Sequence, residues 1–146
     1  MGFHERWINL TIVCVKTVMY STLVNGEPRG LIHPSKGIRQ GDPLSPFLFL
    51  LCTEGLNGLI KQVEVNGDIH GFSLCRKGPK LSHLLFVDDG LLFCRAMTVE
   101  CVKVLNILEA YEGDSGQKVN KSKMTLFCSK STPDEIKSNI KLALGV

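Results

Sequence analysis

Between Leu81 and Cys94 the chain reads Leu-Ser-His-Leu-Leu-Phe-Val-Asp-Asp-Gly-Leu-Leu-Phe-Cys, two apolar runs flanking an acidic pair and a glycine. A carboxylate is expensive to bury without a partner. Neighbours on a strand point to opposite faces, so Asp88 and Asp89 cannot both enter a core. The stretch therefore predicts two buried strands joined by a tight turn, with both acids emerging at a surface edge. Two carboxylates there repel one another, and a divalent cation relieves the repulsion. Mg²⁺ takes few protein ligands and shares its other positions with waters and phosphates. A pair of aspartates at a strand end is thus a half-site for nucleotide chemistry. Asp-Asp-Gly is also a common solvated turn, and the tripeptide alone favours that plainer reading; the large apolar strands and a second feature upstream change the odds.

That second feature is Ser35-Lys36-Gly37-Ile38-Arg39-Gln40-Gly41-Asp42-Pro43-Leu44-Ser45-Pro46, with two glycines, two cations and an amide just before a helix. Glycines let a backbone approach a ligand closely. A helix N-terminus offers free N–H groups and positive potential to an anion. Lys36 and Arg39 add charge, and Gln40 can hydrogen-bond a base or sugar edge. The plainer alternative is a capped helix after a solvated loop. Either Asp42 with Pro43 or Ser45 with Pro46 supplies the cap.

The rest of the chain supplies a scaffold. Glu5 to Lys16 reads as a helix with Trp7, Leu10, Thr11 and Cys14 on one face, although its β-branched residues weaken the pattern. Val18 to Val24 and Leu31 to His33 read as strands around a turn that opens with Asn25-Gly26. Leu48, Leu51, Leu56, Leu59 and Val63 stripe the helix after the loop, which Asn66-Gly67 ends. Gly71 to Cys75 is a short strand, followed by a turn from Arg76 to Pro79. Thr98 to Glu112 is a helix capped by Thr98, with Val102, Leu105, Ile107 and Leu108 inward and Gly113 to Gly116 as its stop. Val119 and Met124 to Cys128 predict a further strand. Thr132-Pro133-Asp134-Glu135 opens a last helix. Two hairpins imply antiparallel pairing, so the fold class is α+β, a single domain over residues 1–146 with helices on one face of an antiparallel sheet.

Composition narrows the setting. At 44% hydrophobic and 21% charged residues the chain has an ordinary globular balance. A net charge of +3 permits a nucleic-acid partner without demanding one. No apolar run is long enough to span a membrane, no signal-peptide pattern opens the chain, and Arg6 stands where myristoylation wants Ser or Thr. The expectation is an intracellular protein, with nucleus or an organelle compatible. The six cysteines form no C-x-x-C pair and read as buried free thiols, neither a zinc site nor a disulfide framework.

Three motifs in order carry a resemblance. Ser35-x-Gly37-x-x-Gln40-Gly41-x-x-x-Ser45-Pro46, Phe86-Val87-Asp88-Asp89 and Gly116-Gln117-Lys118-Val119-Asn120-x-x-Lys123 together resemble the reverse transcriptases of non-LTR (LINE-type) retrotransposons, particularly those of plant genomes, over nearly the whole chain. Intron-encoded maturases share the loop motif. The resemblance implies a polymerase palm and an RNA-directed DNA polymerase chemistry. It implies that Asp88 and Asp89 are catalytic ligands of Mg²⁺, with Mn²⁺ as substitute. It implies that Gly37, Arg39, Gln40, Gly41, Phe86, Val87 and Lys123 face the nucleotide, and that RNA template, DNA primer and dNTP are the partners. Lys118 and Lys121 are equally placed to touch backbone phosphates. Val87 stands where many relatives have Ala, Gly90 where they often carry a side chain, and Met124 where a small hydroxyl residue is usual; Gly90 is expected to loosen the turn.

The family's palm also uses a third aspartate, on a strand preceding the first helix seen here. Glu5 and Glu27 lack its setting, so the chain is expected to be a partial palm, without fingers or most of the thumb, and inactive alone. The rival reading is a catalytically silent nucleic-acid-binding remnant. Its surface would be the basic groups Arg29, Lys36 and Arg39, then Arg76, Lys77 and Lys80, then Lys118, Lys121 and Lys123. A third outcome is aggregation through an unpaired sheet edge.

Overall fold

The protein, described by a computed structural model, is resolved in its particulars for residues 2–35, 38–76 and 78–145. It forms two compact units, Met1–Leu50 and Leu51–Val146.

The first unit opens with α1 (Glu5–Lys16), its bounds as the sequence predicts. His4 caps it, its ring Nδ1 accepting the Arg6 N–H at 3.2 Å. The predicted face is not buried: α1 buries no residue, and Trp7, Leu10 and Cys14 are exposed. Trp7 instead stacks on Phe3, ring centroids 4.4 Å apart. A hairpin follows, β1 (Tyr20–Val24) and β2 (Glu27–Ile32), paired antiparallel. Only Asn25 and Gly26 form the turn, both at positive φ (53° and 84°), the geometry that favours this dipeptide in two-residue hairpins. The returning strand thus begins four residues earlier than expected, and Gly30 lies in it, where the register shifts by one residue.

α2 (Ser45–Val65) runs from the first unit into the second. The remaining elements are β3 (Phe72–Ser73), β4 (Lys80–Leu81), β5 (His83–Phe86), β6 (Asp89–Leu92), α3 (Thr98–Ser115), a 3₁₀ turn at Lys121–Lys123 and α4 (Asp134–Leu144). The core of the second unit is Leu56 and Ile60 of α2, Ile69, and Ile107 and Tyr111 of α3, with Leu59, Val63, Leu85, Leu92, Val104 and Leu108 packed against it. Ile60, at 1% exposure, is the centre of this cluster and lies between the predicted stripe positions. α4 packs on α3 and buries Ile140.

The class is α+β with antiparallel pairing throughout, as expected. The strands do not form one sheet: among the described residues they make three separate two-stranded ribbons, β1–β2, β3–β4 and β5–β6. The strand predicted at Met124–Cys128 is absent as a ladder. Its side chains do alternate between half-buried and exposed, the period of an extended chain, but no described strand lies beside it to complete the hydrogen bonds.

The cysteines also depart from expectation. Cys101 alone is buried; Cys52, Cys94 and Cys128 are half-buried, and Cys14 and Cys75 are exposed. No helix among the described residues is long and apolar enough to cross a membrane.

Candidate active site

β5 and β6 pair in the register His83↔Leu92, Leu84↔Leu91, Leu85↔Gly90 and Phe86↔Asp89. The turn is therefore Val87-Asp88, one residue earlier than the acidic pair, and Asp89 is the first residue of the outgoing strand. Directly opposed residues share a face, and residues two apart share it too. One face carries Leu85 and Leu92 onto the core. The other carries Leu84, Phe86, Asp89 and Leu91, all exposed, Phe86 at 79%. The strands are thus half-exposed, not buried as the apolar runs predict, because a two-stranded ribbon lying on a core covers one face only.

Val87 takes φ +51° while Asp88 does not, the pattern of a type II′ hairpin turn. A β-branched residue resists this conformation, so the tip is held under backbone strain. Gly90 lies outside the two-residue turn. It sits in β6 facing Leu85, where an added Cβ would lie 3.2 Å from Leu85 Cδ2.

Asp88 and Asp89 are both exposed, and neither carboxylate has a hydrogen-bond or ion-pair partner among the described residues. Their donor set is two carboxylates, hard oxygen ligands at a water-accessible tip, which fits part of a Mg²⁺ or Mn²⁺ site that leaves its remaining positions to water and phosphate. No group of three or more His, Cys, Asp or Glu side chains among the described residues is arranged to enclose a metal ion.

The loop motif lies in the first unit. Gly37, expected at the nucleotide, and Lys36 lie outside the described residues. The Arg39 carbonyl accepts the Asp42 N–H at 3.0 Å. Gln40 and Gly41 are the central residues of that turn, and Gly41 takes φ +84°, which only glycine adopts freely and which a type II turn requires there. Gln40 is exposed. The Arg39 guanidinium lies over the Tyr20 ring at 5.6 Å. Asp42 then closes the entry to α2: its carboxylate accepts the Leu44 N–H at 2.8 Å and its carbonyl the Ser45 N–H at 3.0 Å. Of the two cap arrangements left open by the sequence, Asp42 supplies the side-chain bond, and Ser45-Pro46 forms the first helical turn.

The third motif is a chain of local bonds. Gly116 ends α3 in the left-handed conformation. The Gln117 side chain accepts from the Tyr111 hydroxyl. The Glu112 carboxylate accepts the Val119 N–H at 2.7 Å and pairs with Lys118 at 3.1 Å. The Val119 N–H and the Lys118 ammonium hold its carboxyl below the usual range. Asn120 caps the 3₁₀ turn through Ser122 N–H at 3.2 Å. Lys121 and Lys123 are exposed on that turn, and no hydrogen bond or ion pair joins Lys123 to Asp88 or Asp89. Of the basic residues beyond it, Arg29 pairs with Glu27 at 3.0 Å.

Sequence reasoning missed Glu100. It is only 5% exposed, yet it carries a carboxylate. It accepts the Arg95 N–H at 3.0 Å, the His70 N–H at 2.9 Å, and lies 2.9 Å from His70 Nδ1. Thr98 does not cap α3 as expected: it is the first helical residue, after Met97, and no side chain caps the helix, while Glu100, in the first turn, gathers backbone N–H groups that lie outside the helix. A Thr followed two residues later by Glu before an apolar run is the only trace in the sequence. Glu100 ties the end of the β5–β6 hairpin to the connection leaving α2.

The family described as reverse transcriptase (RNA-dependent DNA polymerase) matches residues 1–141. The chain belongs to that family. It is 51% identical over 67 residues to an uncharacterized mitochondrial protein of Arabidopsis thaliana, an alignment covering 46% of this chain and 55% of that protein. The match thus spans about half the length of this curated relative. No solved structure matches the chain.

Proposed function

We propose that the chain carries the metal-binding and nucleotide-facing portion of an RNA-directed DNA polymerase of LINE-type retrotransposon origin. The observation that carries this reading is the β5–β6 tip, two adjacent exposed carboxylates, one in a strained two-residue turn and one at the start of β6, without partners among the described residues. In this reading Asp88 and Asp89 hold Mg²⁺. When bound, the metal supplies a Lewis acid that stabilises the charge of phosphoryl transfer. Phe86 and Val87 flank the reacting end of the primer, and Gly37, Arg39, Gln40 and Gly41 line the incoming dNTP. The Gly41 turn lets the backbone approach closely while Gln40 projects a hydrogen-bonding amide. Lys123, with Lys121, meets backbone phosphates of the RNA template or DNA primer.

Among the described residues no third carboxylate joins the pair. A two-metal site lacking one bridging ligand loses nearly all its rate, so we expect the 146-residue chain alone not to sustain incorporation. Primer extension on an RNA template with Mg²⁺ tests this, comparing the chain with its Asp88→Ala/Asp89→Ala variant. Incorporation that vanishes in the variant would overturn the inactivity. Exposed Lys121 and Lys123 favour the second reading, a silent nucleic-acid-binding remnant. RNA affinity that falls steeply with salt supports it, and a flat, weak response removes it.

A further inference from the structure

Two cysteines face each other in the second unit. Cys94 Sγ and Cys101 Sγ lie 3.8 Å apart. Cys94 follows β6, and Cys101 is in the first turn of α3. The segment between them is already drawn closed by two bonds. The Arg95 N–H donates to Glu100 at 3.0 Å, and the Cys101 N–H donates to the Met97 carbonyl at 3.1 Å. A disulfide places its sulfurs about 2.05 Å apart. Subtracting this from the 3.8 Å contact leaves roughly 1.8 Å to close, a distance that side-chain rotation covers on a backbone already folded back on itself.

We propose that Cys94 and Cys101 form a reversible dithiol–disulfide site, and that a small-molecule disulfide such as glutathione disulfide oxidises it. The product staples the segment just after β6, the outgoing strand of the acidic hairpin, to the first turn of α3. Half-buried Cys94 is the entry point and Cys101, buried behind it, the resolving thiol. The Cys94 thiolate attacks one sulfur of the oxidant and expels a glutathione thiolate. The Cys101 thiolate then attacks Cys94 Sγ and expels the second. The two cysteine protons finish on two glutathione thiols, so the protein is oxidised by two electrons and one glutathione disulfide is reduced.

Burial, reinforced by the neighbouring Cys101, pushes the Cys94 thiol up to about 12. Little thiolate exists at neutral pH, so the first step is slow and accelerates as pH rises. The second step has its nucleophile at contact distance. Cys14 and Cys75 are exposed and react with the oxidant first, but no cysteine contacts either among the described residues. Cys128 lies near enough for its charge to bear on both thiols, and it is the competing partner that a test must separate.

The test uses the full chain with Cys14→Ser and Cys75→Ser, held under native conditions with excess glutathione disulfide at about pH 8 and sampled until the linkage no longer changes with time. Alkylation, digestion and mass spectrometry then map the linkage. The expected result is a Cys94–Cys101 bond and an intact mass lower by two hydrogens. Dithiothreitol reverses the change, and thermal unfolding shifts upward while the bond is in place. Adding Cys101→Ser stops the reaction at a Cys94–glutathione adduct. Two results overturn the proposal. One is recovery of both Cys94 and Cys101 as alkylated thiols at that end point, under an oxidant excess that fully oxidises the urea-unfolded chain. The other is a linkage of either cysteine to Cys128.

Discussion

Replacing Glu100 tests how the second unit holds its acidic hairpin. Glu100→Ala removes a carboxylate that is 5% exposed and engaged at 2.9, 2.9 and 3.0 Å. Hydrogen bonds to a charged group contribute about 1.5–3 kcal/mol each, and a donor left without its acceptor costs about 1–3 kcal/mol. The contributions share one side chain and do not add, so the expected loss is about 3–5 kcal/mol, the range for breaking a buried pair. Glu100→Gln can keep its one oxygen on the Arg95 and His70 N–H groups, which share a single carboxylate oxygen, and turns its amide toward His70 Nδ1; it loses only the charge on those bonds and should cost about 0.5–1.5 kcal/mol. Burial acts to raise the Glu100 carboxyl, but the Arg95 and His70 N–H groups and the His70 ring outweigh it and hold it below the ordinary 4.5. A depressed folded-state value stabilises above the unfolded value and is lost as pH falls through the folded one. The gap between wild type and Glu100→Ala should therefore hold above pH 4.5 and shrink at lower pH. Urea unfolding followed by circular dichroism measures it, and hydrogen exchange at the His70 and Arg95 amides localises it. A loss under about 1 kcal/mol, or a gap that widens in acid, would refute the reasoning.

Three further outcomes follow from the same structure. Ile60→Ala should destabilise by about 2–5 kcal/mol, read by the same urea titration, because Ile60 is 1% exposed at the centre of the core. Val87→Asn should stabilise by about 1 kcal/mol in thermal unfolding, since asparagine tolerates the φ of +51° that valine resists; no gain would mean that the turn is unstrained. Gly116→Ala should cost about 1–2 kcal/mol, because the left-handed cap of α3 has φ +71° and a Cβ is disfavoured there.

Features that depend on local chemistry were legible in the sequence. α1 keeps its predicted bounds, Asn25-Gly26 turns a hairpin, Asn66-Gly67 ends α2, and the apolar runs around Asp88-Asp89 pair as strands. What escaped depends on partners distant in the chain. Met124–Cys128 has strand periodicity but no described neighbour to bond. The acidic pair spans a turn position and a strand position because register, not composition, decides where a ribbon reverses. Trp7 and Leu10 have helical spacing but no buried face. Glu100 is unreadable because its donors, at His70 and Arg95, mean nothing until the chain folds. In the candidate site the sequence singled out Arg39, Gln40 and Gly41 as a loop and Asp88 and Asp89 as a pair. The turn types that present them came from the structure.

The most direct test of the metal assignment is a Mn²⁺ titration of the ¹⁵N-labelled chain, followed by paramagnetic broadening of its amide resonances. The account predicts that broadening begins at residues 86–90, that Mg²⁺ competes it away, and that Asp88→Asn/Asp89→Asn abolishes it while the remaining spectrum is preserved. Broadening that starts elsewhere, or that survives the double substitution unchanged, would contradict the assignment of Asp88 and Asp89 as the metal-holding pair.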